Sequence, residues 1–498
     1  MEASPDDRPA DLGSVAARGT AVTVITQVGR VAIQFGSVAV LARLLVPADF
    51  GLVAMVAAVV GVAELLRDFG LSTAAVQSPT LSDDERTNLF WANAAAGLGC
   101  AVLAACAAPL VVLLYDEPRV QDITLAIAPL FLLNGLATQF RAGLARQLRF
   151  ASLGLSDLVA QALSAGVTVG LAVAGAGVWA LVAGMLVNSA AAGVLFAVMG
   201  GWCPGWPRRR TSIRRYFGFG AGVLGTQAIG YLTRSVDNVA IGVVSGAAPL
   251  GLYGRAYQLM TTPLANINAP MNNVVLPVLR HTQSDDELFL RYLARAQLVL
   301  LYTTGFVFAI SCGLADPIVL VVFGDGWTGV APILAVLAVA GPFRALAAVP
   351  WWAYLARGHS GALFRQRTVT GVLSVLAIFA GLPWGAVGVA WGVAAGSVLA
   401  WAVGLWHVGR VTRLDTSPLV TRVLLTLTLV ALPCGLAAHT ATWVPAPPLV
   451  QLVVGVGAAA TYFLTARLLL PLVRSDVRVV LSFARRGLPV RRRRTGGA

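Results

Sequence analysis

Long apolar runs separated by short polar breaks dominate this chain. We count about 14, at residues 17–45, 49–66, 90–114, 123–144, 155–174, 177–199, 217–244, 248–278, 296–314, 330–356, 362–381, 384–406, 419–440 and 448–470. A helix of about 20 residues crosses a hydrocarbon core roughly 30 Å thick. These runs are too long and too continuously apolar for the alternating strands of a barrel. The expectation is an all-α integral membrane protein.

The polar breaks alternate in charge. One set carries arginines, among them Arg67, Arg86, Arg141, Arg146, Arg208, Arg280, Arg357 and Arg413, and the tail ends in Arg491–Arg494. The other set carries Asp49, Asp116, Glu117, Asp122, Asp316 and Asp325, with Arg119 its one clear basic residue. Arginine in every second loop predicts an even number of spans, with both termini in the cytoplasm of a plasma (inner) membrane. The N-terminal stretch MEASPDDRPADLGS is acidic and polar. It does not read as a signal peptide, so the first span is expected to remain uncleaved.

An internal repeat orders the spans. Thr26-Gln27 matches Thr226-Gln227, and Gly51-Leu52 matches Gly251-Leu252, both at an offset of 200. Leu144-Ala145-Arg146 matches Leu355-Ala356-Arg357, and Gly177-Val178 matches Gly388-Val389, both offset by 211. We therefore expect two six-helix bundles in the same orientation plus two C-terminal helices. The boundaries are a tail at 1–15, lobes at 16–200 and 217–410 joined by a basic linker at 201–216, added helices at 411–472 and a basic tail at 473–498. Parallel repeats of this kind are a transporter architecture, with the substrate expected at the repeat interface.

Composition sharpens this picture. The chain is 57% hydrophobic and only 12% charged, where a soluble protein carries about a quarter charged residues. The net charge of +14 comes entirely from arginine, because the sequence has no lysine. The arginines lie between apolar runs, which points to topology control and not to nucleic acid. The 5 cysteines and 4 histidines are scattered without metal-ligand spacing, so neither a metal nor a cofactor is implied. Gly220, Gly222 and Gly225 fit GxGxxG but open an apolar run with no strand before them. Close helix packing explains them better than a dinucleotide site. No catalytic triad, paired-carboxylate site or Walker loop is present, so the chain reads as a non-enzyme.

Six of the charges inside the apolar runs stand out: Arg30, Arg43, Arg234, Asp237, Arg255 and Arg344. A charge near the bilayer centre costs roughly 3 kcal/mol, so it marks a functional site by default. Arginine grips phosphate in a fork and keeps its charge at any physiological pH. Arg30 has Gln27 and Gln34 on neighbouring faces. Arg234 and Asp237 share a face with Asn238 beside them. That pair either only lowers insertion cost or lines a cavity, with Asp237 as the candidate ligand for a coupling proton or cation. Arg43 and Arg255 lie nearer span ends, where arginine snorkels to the interface. Asn134 and Asn188 add polar groups suited to sugars or to helix packing.

Several segments follow one another along the chain: ARLLVPADFGLVAM (Ala42–Met55), RDFGLSTAAVQ (Arg67–Gln77), FWANAAAGL (Phe90–Leu98), RQLRF (Arg146–Phe150) with Asp157, GVWALV (Gly177–Val182), and DNVAIG followed by PLGLYGRAYQLMTTPL (Asp237–Leu264). In this order and spacing they resemble Wzx-type polysaccharide flippases of the multidrug/oligosaccharidyl-lipid/polysaccharide (MOP) exporter superfamily. The resemblance implies a MATE-like fold with a central basic cavity. It implies alternating-access movement of undecaprenyl-pyrophosphate-linked oligosaccharide across the plasma membrane, with H+ or Na+ as open choices for coupling. Arg30, Arg234 and Arg344 would then hold pyrophosphate while Gln34 and Asn238 face the glycan. Glycosyltransferases or a polymerase of the same pathway are candidate partners. The alternatives are an ion-coupled small-molecule or drug antiporter and a non-enzymatic component of a glycan-assembly complex.

Overall fold

The computed structural model of the chain describes residues 10–68, 71–78, 80–208, 211–214, 216, 231 and 235–487. Among these residues every regular element is a helix, as the uninterrupted apolar runs require. Among the described residues eleven segments are long and apolar enough to cross a membrane, one of them, Ser360–Thr412, containing two helices. The expected seventh span, 217–244, lies mostly outside the described residues.

By internal contacts the chain divides into two units, Met1–Gly251 and Leu252–Ala498. The basic linker expected at 201–216 falls inside the first. That unit comprises α1 (Ala10–Leu44), α2 (Pro47–Asp68), the short α3 (Leu71–Gln77), α4 (Asp83–Tyr115), α5 (Arg119–Ile127), α6 (Pro129–Arg146), α7 (Phe150–Val173) and α8 (Val178–Gly200). A further apolar helix, α9, covers Ser235–Ser245. The run expected as one span at 123–144 is two helices, because Pro129 opens α6 and cannot continue the hydrogen-bond ladder of α5. Helix α7 packs on α1 and α8, while α6 packs on α4 and α8.

Loop chemistry sets the helix ends. Ser82 caps α4 by accepting from the Glu85 amide at 3.2 Å, and Glu85 accepts from the Ser82 amide at 3.0 Å. This reciprocal pair satisfies two of the amides that a helix start leaves open. Arg119, the single base among the acidic loops, donates to Glu117 at 2.9 and 3.1 Å. That hydrogen bond holds the Glu117 carboxyl below its ordinary range. The linker is fastened onto α4. The Asn88 amide donates to the Arg208 and Thr211 carbonyls at 2.8 Å, Trp91 donates to the Gly205 carbonyl at 2.9 Å, and the Arg86 guanidinium lies 4.0 Å over Trp202.

The second unit begins within α10 (Ala247–His281), which carries Pro263, Pro270 and Pro277. It continues with α11 (Asp286–Gly313), α12 (Ala315–Val322), α13 (Val330–Leu346), α14 (Ala348–Ala356), α15 (Ser360–Gly381) and α16 (Gly385–Thr412). Leu279, Leu293, Leu300, Trp352 and Leu405 form its core. Next come α17 (Ser417–Thr426), α18 (Leu432–His439), α19 (Pro448–Leu469) and α20 (Pro471–Gly487). A second core around Cys434, Ala459 and Val473 joins these to α11. The start of the expected basic tail is thus an amphipathic helix whose buried Asp476 accepts from the Tyr302 hydroxyl at 3.0 Å and pairs with Arg422.

Two glycines matched by the repeat permit a backbone contact within the first unit. A Cβ on Gly51 would lie 1.7 Å from the Ala247 carbonyl oxygen, and one on Gly251 would lie 1.9 Å from that of Pro47. The first turns of α2 and α10 therefore meet backbone to backbone, the close approach that small residues allow between membrane helices. Gly51→Ala and Gly251→Ala should each lower the melting temperature of the detergent-purified protein, through an overpacking cost of about 1–3 kcal/mol. Gly36→Ala, where an added Cβ meets nothing within 4 Å, should not. Equal melting of all three variants and the parent would refute this contact.

Candidate functional site

A polar cavity of about 370 Å³ lies within the first unit, lined by residues of α2, α6, α7 and α8. Its chemistry comes from Glu64, Arg67, Asn134, Thr138, Arg141, Asp157, Asn188 and Ser189, and Phe196 forms part of an apolar wall. The volume lies within the range of about 300–1,000 Å³ typical of small-ligand sites.

Two ion-pair systems organise it. Arg67 forks onto Glu64 one turn earlier on α2, with Nε and Nη2 donating at 3.0 and 2.8 Å. Its remaining nitrogen, Nη1, donates to the Thr138 hydroxyl at 2.7 Å. With a side chain only 9% exposed, Arg67 is locked. The Asn134 amide donates to Glu64 at 3.4 Å, and its oxygen accepts from the Ser189 hydroxyl. The second system centres on Asp157 of α7. Arg141 donates to both its oxygens at 3.0 and 3.3 Å, while Arg30 of α1 reaches one of them at 3.5 Å. Arg30 also donates to the Gln161 side chain at 3.4 Å, and Gln161 returns a bond to the Arg30 carbonyl at 3.1 Å. The Arg141 guanidinium sits 5.2 Å from the Phe196 ring.

Each carboxylate thus cancels guanidinium charge that the bilayer would otherwise penalise. The lining supplies guanidinium donors, amides and hydroxyls, a set suited to an anionic, hydroxyl-rich ligand.

The residues singled out from sequence scatter across this arrangement. Arg30 is half-buried and bound to Asp157, and Asn134 lines the cavity. Gln34 is half-buried on α1, whereas Gln27 and Arg43 are exposed. Asp237 is buried and accepts from the Asn238 amide at 2.8 Å. Arg234 lies outside the described residues. In the second unit Arg344 donates to the Tyr257 hydroxyl at 2.9 Å, with its guanidinium 5.2 Å from that ring. Arg255 donates to Gln258 at 2.7 Å.

Arg67 and Arg141 depart from the expectation of loop charges. Both stand on helices and line the cavity, Arg67 because α2 runs on to Asp68 beyond the expected run and Arg141 because it falls within the run at 123–144. The i,i+3 spacing of Glu64 and Arg67 was the available sequence signal for a shared helix face. Asp157 entered only through the resemblance, and nothing in its spacing announced two arginine partners.

Removing one member of a locked pair strands the other. Glu64→Gln should lower stability by about 1–3 kcal/mol, because Arg67 keeps its charge but loses its fork. Glu64→Gln with Arg67→Gln should recover part of that loss, measured by thermal unfolding in detergent. An unchanged melting temperature in Glu64→Gln would show that the pair does not support the fold.

The likeness to known proteins runs through both sequence and structure. The chain is 25% identical to the teichuronic acid biosynthesis protein TuaB of Bacillus subtilis (strain 168), over 71% of this chain and 74% of that protein. It is 26% identical to the lipopolysaccharide biosynthesis protein WzxC of Escherichia coli (strain K12), over 66% and 67%. Among solved structures, the lipid II flippase MurJ in an inward closed conformation superposes with a TM-score of 0.73 at 12% identity, covering 90% of this chain and 99% of that one. An inward-facing multidrug resistance MATE family transporter of the MOP superfamily follows at 0.60 and 15% identity, covering 78% and 96%. These two superpositions show a shared all-helical fold. Residues 40–332 match the family described as "Polysaccharide biosynthesis protein", and with more than half of its length in that match the chain belongs to this family.

Proposed function

We propose that the protein is a flippase that moves an undecaprenyl-pyrophosphate-linked oligosaccharide across the plasma membrane for polysaccharide biosynthesis, by alternating access. The observation that carries this reading is the cavity of the first unit, where Arg67 and Arg141 stand among amides and hydroxyls within a bundle of membrane-spanning helices. Arginine forks suit a pyrophosphate, and Asn134, Asn188 and Ser189 suit a sugar. The relatives support the same substrate class, since one of them is named for succinoglycan biosynthesis transport.

In this reading Arg30 serves the anionic headgroup by holding Asp157, Arg344 is a further proposed headgroup contact, and Gln34 and Asn238 add polar contacts. Arg234 belongs to the same proposal, and Asp237 is the proposed coupling carboxylate for H+ or Na+. Both termini are cytoplasmic, consistent with the arginine-rich loops. Glycosyltransferases or a polymerase of the pathway supply and consume the carried unit, and the protein itself performs no catalysis. A second reading, ion-coupled export of a cationic small molecule, draws on the MATE-like superposition. The cavity disfavours it, because both lining carboxylates, Glu64 and Asp157, are already engaged by arginine.

Deleting the gene in its host should make lipid-linked repeat units accumulate in the inner leaflet while surface polysaccharide falls. Normal surface polysaccharide without that build-up would refute the proposal. Arg141→Ala should cut export by about tenfold or more, the loss of a charge-assisted contact, while the protein still reaches the membrane. Export at the parent rate in both Arg141→Ala and Arg30→Ala would remove these arginines from the substrate path.

A further inference from the structure

Two guanidiniums share one carboxylate in this cavity, and the two are not equivalent. Arg141 lines the cavity, keeps 53% of its side chain exposed and binds Asp157 through both terminal nitrogens. Arg30 does not line the cavity. It holds Asp157 by one longer contact and is braced by Gln161 on both its side chain and its carbonyl. Asp157 itself is 15% exposed, so it cannot be left bare at low cost.

We infer that Asp157 is a stand-in anion. It occupies the fork of Arg141 while the cavity is empty and yields that fork to the phosphate of an incoming ligand. The inference rests on the pyrophosphate reading above and adds its regulation. A carboxylate and a phosphate oxygen offer a guanidinium the same pair of acceptors, so one replaces the other without new geometry. The uneven count makes the exchange cheap. When Arg141 turns to the ligand, Arg30 still neutralises Asp157, so neither the empty nor the loaded state strands a buried carboxylate. Arg67 is the contrasting case, because its fork on Glu64 and its bond to Thr138 engage all three guanidinium nitrogens and leave it no freedom to turn.

The Phe196 ring beside the Arg141 guanidinium fits the same role. An apolar face supports the planar group without competing for its N–H donors, so the guanidinium keeps its stacking as it changes acceptor. Asp157 is thus a positioning residue, and its competition with the ligand sets a threshold that weak anions do not pass.

The test is inorganic pyrophosphate binding to the detergent-purified full chain, followed by calorimetry, with melting curves as a folding control. Asp157→Asn should bind pyrophosphate about fivefold more tightly, the scale of a half-exposed ion pair. Arg141→Gln should bind more weakly than the parent. The gain from Asp157→Asn should vanish in Asp157→Asn with Arg141→Gln, because the released fork is no longer present. A gain that survives the loss of Arg141 would reduce Asp157 to a general field effect and overturn the exchange, and so would no gain at all.

Should Asp157→Asn fail to fold, Arg30→Gln decides the matter. Asp157 then competes for Arg141 alone and pyrophosphate should bind about threefold more weakly, whereas unchanged binding refutes the inference. Pyrophosphate binding by the parent with no response in either variant sinks the exchange and leaves the flippase reading standing. Folded parent and variants that all fail to bind pyrophosphate would sink both.

Discussion

Charge cancellation inside the helix bundle is the constraint on which the rest of the first unit depends. A guanidinium among membrane-spanning helices needs a carboxylate within hydrogen-bond reach, and that partner must come from a position the helix packing can supply. Glu64 supplies it within α2, one turn from Arg67. Asp157 supplies it across helices, tying α7 to α6 through Arg141 and to α1 through Arg30. The contacts of α7 with α1 and with α6 therefore build the charge network as well as the apolar packing. A cavity lined by arginine is stable here only because its acids are built in.

Close backbone approach is the second requirement, and it works by a different physics. Lipid tails are as apolar as leucine, so membrane helices gain little from hydrophobic contact with one another and rely on fit. Gly51 and Gly251 remove the side chains that would separate the first turns of α2 and α10. Gly61 likewise leaves room for the Tyr231 hydroxyl, which donates to the Ala57 and Ala58 carbonyls at 2.9 and 3.1 Å. These contacts fix α2 as a rigid element, and α2 carries both Glu64 and Arg67.

The fold was legible in the sequence because a spanning helix announces itself by length and continuous apolarity. The same rule hid the site. Hydropathy ends a span where polar residues begin, so Arg67 counted as a loop charge although α2 carries it into the cavity, and Arg141 was grouped with the loop arginines although it stands inside an apolar run. Arg30 was legible because it interrupts an apolar run, but its partner Asp157 stands 127 positions away, beyond the reach of any local pattern. The repeat pointed to Gly51 and Gly251 as equivalents, and no spacing rule shows that their helices touch. Proline breaks were half legible: Pro129 divides α5 from α6, whereas Pro263, Pro270 and Pro277 all lie within α10.

Arg344 is held differently from the arginines of the first-unit cavity. In the first unit Arg30, Arg67 and Arg141 answer to two carboxylates, which cancel all but one of their charges. In the second, Arg344 bonds a phenol and lies against the same ring, partners that orient the guanidinium without cancelling its charge. Uncancelled charge in a medium of low dielectric attracts an anion over a longer range, whereas a charge held by a resident carboxylate responds only on contact.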